Sequence, residues 1–177
     1  MIWDWVFGIL TRPGDTFHRA EEEMRFGYWW ILLSVFTLET VMMVFGAPAD
    51  LRSESLDLIP MDLLWLLILF DLQVLFAMAA ARAFRWQLTW RAGVKFIGLV
   101  WAVLLAEDLV TFYPSLANME HLVRWLSIPF VLWYLVVTAA GARRLSGIST
   151  GKAILFALMA AGPWRLGLYA MYWLPQQ

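Results

Sequence analysis

The stretch Met61–Ala81, MDLLWLLILFDLQVLFAMAAA, narrows the possible folds more than any other feature of this chain. A run this long and this apolar belongs in hydrocarbon, where no water satisfies backbone N–H and C=O groups, so it must be helical. A bilayer core about 30 Å thick takes about 20 such residues. Four more runs have the same character: 27–46 (GYWWILLSVFTLETVMMVFG), 92–113, 125–141 and 152–174. The expected fold is an all-α membrane protein, a single bundle of five transmembrane helices over 27–177. Residues 1–26 are expected to form a cytoplasmic and interfacial N-terminal segment.

Composition points the same way. Hydrophobic residues make up 62% of the chain and charged ones 15%, whereas a soluble domain is nearer half apolar and a quarter charged. A net charge of −1 lacks the Lys/Arg surplus that a nucleic-acid-binding face needs, so nucleic acid is not an expected partner. With no cysteine, disulfides, thiol nucleophiles and thiolate metal sites are excluded. The two histidines, His18 and His121, are too far apart in sequence for a ligand motif. The start, MIWDWVFGILTRPGD, has Asp4 and no basic residue before its apolar stretch, unlike a cleavable signal peptide.

The loops give an independent test of topology. Arg12, Arg19, Arg25, Arg82, Arg85, Arg91, Lys95, Arg143, Arg144 and Lys152 fall on one side of a five-span layout, and only Arg52 and Arg124 on the other. By the positive-inside rule the N-terminus faces the cytoplasm and the C-terminus the outside. Trp29, Trp30, Trp86 and Trp90 then mark the cytoplasmic boundary, and Tyr113, Trp125 and Trp173 the outer one. IWDWVFGIL reads as a short amphipathic helix in the interface with its rings in lipid. Pro13-Gly14 is expected to break it. Asp15 or Thr16 would cap a second helix, whose acidic run Glu21–Glu23 reads as a solvated face.

The fifth run carries an arginine near its middle. At 1.5 Å per residue from the cytoplasmic ends, Arg165 lies ~18–20 Å deep, Glu39 ~18 Å, Asp71 ~15 Å, and Glu107 and Asp108 ~20–23 Å. Charges at such depth turn inward and pair, because an isolated one costs several kcal/mol. Arg165 is therefore expected to pair with one or two of Glu39, Asp71, Glu107 and Asp108. One cation cannot neutralise four acids. The surplus must be protonated, reach the outer surface, or line a proton or cation path. Pro163, after Gly162, frees the carbonyl of Met159 and is expected to kink the fifth helix, as Pro129 is the fourth. Small residues (Ala77, Ala79, Ala80, Ala81, Gly93, Gly98, Gly141, Gly162, Gly167) allow close helix contact, within one chain or between membrane proteins.

Enzyme signatures are missing. GISTGKA (Gly147–Ala153) resembles a phosphate-binding loop only superficially, because its first glycine is one residue too close and Ala153 replaces the metal-binding hydroxyl. Ser149 or Thr150 as a helix cap is the simpler reading. No G-x-S-x-G, H-E-x-x-H or paired-His motif occurs. The expectation is a non-enzymatic protein with no cofactor.

Two stretches carry a family resemblance. LTRPGDTF (Leu10–Phe17) fits an F/L-x-x-P-x-x-T-F element ahead of the first span, and VVTAAGARRLSGISTGKAILFAL (Val136–Leu158) leads from the fourth span into the fifth. On these the chain resembles the Yip-domain family, five-span proteins named for interaction with Ypt/Rab GTPases. The resemblance implies five helices, a cytoplasmic N-terminus and partnering with membrane proteins. The long cytosolic N-terminal region and the D-L-Y-G-P element of eukaryotic members are lacking, so a small-GTPase partner is not expected and the compact form resembles the prokaryotic branch. The expected role is a membrane scaffold or membrane-organising, partner-binding protein of a bacterial cytoplasmic membrane, in contact with lipids and with a second copy or other membrane proteins. The alternative is a small proton- or cation-coupled transporter or channel using the intramembrane carboxylates.

Overall fold

The computed structural model describes residues 2–23, 27–46, 52–117, 119–163 and 165. Among these, all regular structure is helical: α1 (Ile2–Thr11), α2 (Pro13–Glu23), α3 (Gly27–Gly46), α4 (Arg52–Ala83), α5 (Trp90–Val100), α6 (Ala102–Leu116), α7 (Glu120–Ser146) and α8 (Thr150–Ala160). Four helical stretches are long and apolar enough to cross a membrane: α3, α4, α5 continuing into α6, and α7. The fifth run is described only through α8 and as far as Arg165, and its remainder, 166–174, lies outside the described residues.

Two helices overrun the expected bounds. α4 begins at Arg52 rather than 61, with Pro60 inside it, and α7 runs from Glu120 to Ser146 rather than 125–141. A helix does not stop where hydrocarbon stops. Its polar end turns are solvated, and the carbonyl freed by an exposed proline finds water. Pro129 lies inside the continuous α7, and ahead of Pro163 α8 ends at Ala160, with Ala161 as its C-cap and helical residues again at Gly162 and Pro163. The third run, expected as one span, is one helical stretch from Trp90 to Leu116, whose backbone bonds run on through Trp101 (ψ −9°), from its N–H to the Ile97 carbonyl and from the Leu105 N–H to its own carbonyl. Thr89 caps α5 by accepting from the Ala92 N–H.

The α5–α6 stretch is the axis of the molecule. Of its apolar window 78% is buried, against 17%, 33% and 22% for α3, α4 and α7, so the other helices surround it. At one level Trp101 is wedged edge-on between Phe36 of α3 and Phe70 of α4, with ring centroids 6.1 and 5.1 Å away. Toward the start of α5, Phe17, Phe96, Phe156 and Trp86 form a second aromatic layer. Outward-facing side chains of the long helices are predominantly large and apolar, including Leu64, Trp65, Leu72, Phe76, Leu132 and Val136. That surface suits lipid rather than water.

The N-terminal helices follow their expected amphipathic pattern but begin differently. α1 ends at Thr11, at the expected break, but α2 opens at Pro13 itself, ahead of Asp15 and Thr16, because a missing N–H and a fixed φ suit the first helical turn. On α1, Val6 and Ile9 are buried while Trp3 and Phe7 are exposed. Arg19 of α2 lies over the Trp5 ring at 4.5 Å and pairs with Glu23 at 3.9 Å. α2 docks on α7 through Phe17, whose ring occupies the space above Gly141. A Cβ there would come within 2.5 Å of the ring. Because Phe17 is 1% exposed and stacked on Phe96 at 5.1 Å, it has nowhere to retreat. Gly141→Val is expected to cost about 1–3 kcal/mol by overpacking and to speed limited proteolysis between Thr11 and Glu23. An unchanged cleavage rate would show that α2 does not depend on this seat.

Candidate functional site

Two helices and the segment after α8 bring charged residues to one place. α3 supplies Glu39, α6 supplies the adjacent Glu107 and Asp108, and Arg165 stands opposite them. Neighbours in sequence point about 100° apart on a helix. Both Glu107 and Asp108 can be buried only because α6 has protein on several sides. They are 9% and 7% exposed.

Arg165 donates from its Nη2 to Glu107 Oε2. The two side chains are each 11% exposed. The guanidinium carbon also sits 5.3 Å from the centroid of the Tyr134 ring, a cation–π arrangement that spreads the charge over an apolar face. Below Tyr134 runs a buried polar chain: the Trp101 indole N–H donates to Gln73 Oε1 at 2.8 Å, and Gln73 Nε2 donates to the Tyr134 hydroxyl. Trp101, Gln73 and Tyr134 are 1%, 1% and 0% exposed. Two buried polar atoms at the cluster have no partner among the described residues, Asp108 Oδ2 and Arg165 Nε.

A cavity of about 300 Å³ opens beside these groups. Its walls run from Leu104 and Val131 through Glu39, Glu107, Asp108 and Thr111 to Ser115 and Arg124. The last two are partly exposed and lie near the end where α3 finishes, Gly46 standing beside the Ser115 carbonyl. At its other end the cavity stops one helical turn short of Trp101 and Tyr134. Neither Trp101, Tyr134 nor the aromatic layer of Phe17, Phe96 and Phe156 is part of its lining.

Of the five residues singled out in the sequence, four converge and one does not. Asp71 is exposed on α4 among the exposed Leu72, Leu75 and Phe76, and it takes no part in the cluster. The reason is angular. Gln73, two residues on, points about 200° away from Asp71 around the helix, and Gln73 is the one that faces Trp101 and Tyr134. Gln73 escaped notice because an uncharged amide in an apolar run signals little. The polar mismatch between positions 71 and 73, which cannot both face inward, was the available clue. Asp62 of α4 was missed too; its negative charge acts on Glu39. Among the described residues no three His, Cys, Asp or Glu side chains converge as a metal site. The chain matches no protein-family model, no curated protein sequence and no solved structure.

Proposed function

We propose that this chain is a non-enzymatic integral membrane protein of the Yip-like kind, a five-helix bundle acting as a membrane scaffold or membrane-organising, partner-binding protein. It resides in a bacterial cytoplasmic membrane, N-terminus inside and C-terminus outside. The single observation that carries this reading is the buried, packed layer beneath the charged cluster. A through-path for ions needs hydrated groups in series across the membrane, but below the charged cluster the described interior is the Trp101–Gln73–Tyr134 layer and then packed aromatic rings. The Arg165–Glu107 pair is then a clasp that holds the last helix against α6, and the apolar outer surface contacts lipid and partner helices.

The second reading is a small proton- or cation-coupled transporter or channel. It draws on the surplus of Glu39 and Asp108 over the one arginine. Proteoliposome flux separates the two: the scaffold reading expects no proton or potassium current above that of empty vesicles. A current abolished by Glu39→Gln would overturn it. In native membranes, crosslinking is expected to trap a second copy or another membrane protein in fixed proportion, and recovery of the monomer alone would count against a scaffold. Topology can be read directly, because the chain has no cysteine of its own. Single cysteines at Gln87 and His121 are expected to be labelled from the cytoplasmic and outer sides respectively.

A further inference from the structure

We propose that the cavity between α3, α6 and α7 is a binding site for a primary ammonium group, which seats against Glu39 and Asp108. Charge is the first argument. Arg165 is committed to Glu107 and Arg124, on the same cavity wall, pairs with Glu120, so Glu39 and Asp108, which line that cavity, form no ion pair among the described residues. The second is the orphaned acceptor: Asp108 is 7% exposed, its buried Oδ2 has no partner, and the residue is part of the cavity lining. A buried acceptor left unmade costs free energy that a bound donor returns. An ammonium group brings three donors and a positive charge to that place.

Size and donor arrangement select among cations. About 300 Å³ lies at the small end of ligand pockets and is far roomier than a bare metal ion requires. The described residues also lack the three converging ligands that such an ion would want. Thr111 and Ser127, on facing walls, could hold hydroxyl or ether groups of the same molecule. A small aminoalcohol fits this set, either free in solution, entering past Ser115 and Arg124, or as the ethanolamine headgroup of a lipid reaching in beside the half-buried Glu39.

The test uses the full chain in phosphatidylcholine nanodiscs at constant ionic strength, with thermal stability and calorimetry as readouts. Ethanolamine and methylammonium are expected to bind saturably and raise the melting temperature. Choline, which has no N–H donor, and sodium are expected not to. Asp108→Asn is expected to weaken ethanolamine binding about tenfold or more, the loss of a hydrogen bond to a charged group. Glu39→Gln gives the same reading should Asp108→Asn fail to fold, and Asp71→Asn, on the outer face of α4, leaves binding unchanged. In nanodiscs of phosphatidylethanolamine, a weakened response to added ethanolamine identifies the headgroup as the occupant, and an unchanged response identifies the soluble amine. Equal stabilisation by sodium, no saturable amine response, or full binding by both Asp108→Asn and Glu39→Gln would each overturn the proposal.

Discussion

Arg165→Met lowers the stability of the detergent-solubilised protein by about 3 kcal/mol, because removing one partner of a buried ion pair strands the other as an unpaired charge. For a chain of this size that is a fall of roughly 6–12 °C in melting temperature. The loss has two sources here. Glu107, 9% exposed, loses the donor that makes its charge tolerable, and Tyr134 loses the cation over its ring. Glu39 and Asp108 then share the cavity with a third uncompensated acid. Replacing both members, Arg165→Met with Glu107→Leu, is expected to recover more than half of the loss, since the double change buries no lone charge. A single variant as stable as the parent, or a double variant no better than the single, would show that the pair does not hold the last helix in place.

The second large effect is expected at Trp101. Trp101→Ala removes a ring that is 1% exposed and wedged between Phe36 and Phe70, so a cavity cost of about 3–5 kcal/mol is expected. It also removes the donor to Gln73 Oε1, leaving a buried amide half satisfied beneath the charged cluster. Trp101→Phe keeps most of the volume and loses only the indole N–H, and is expected to cost about 1–2 kcal/mol. Water able to enter the emptied space would extend the cavity toward the aromatic layer. Trp101→Ala is therefore also the variant most apt to leak protons across a vesicle, whereas Trp101→Phe should stay tight. Equal melting temperatures for the Phe and Ala variants would mean that the ring carries little of the packing at this level.

Helices long and apolar enough to cross a membrane were readable from the chain because their signal is local: a long run without polar interruption has one satisfactory conformation in hydrocarbon. The span expected at 27–46 coincides with α3, Gly27–Gly46. Helix ends were less legible at Arg52 and Ser146, where polar turns continue beyond the apolar core and solvent, not sequence pattern, satisfies the backbone. Nothing local announces that the Trp101 ring fits between Phe36 and Phe70, neighbours that lie far away in sequence.

The cluster was half legible. A charge in an apolar run declares that it needs a partner, and so Arg165, Glu39, Glu107 and Asp108 could be named without coordinates. Which acid takes the arginine, and which acid faces away, depends on the rotation of each helix about its own axis. Apolar residues all round α4 leave almost no amphipathic pattern to fix that rotation, so Asp71 and Gln73 were indistinguishable in principle until α4 was packed.

What this sequence determines by itself is therefore the set of helices that belong in lipid and the list of charges that cannot be left alone there, because both follow from the cost of removing a polar group from water. Only the tertiary structure decides that Glu107 holds Arg165, that Asp71 looks outward, and that Gln73 joins Trp101 to Tyr134. Those outcomes turn on contacts between side chains 58 and 61 residues apart in sequence, and no local pattern encodes the rotation and depth at which two helices meet.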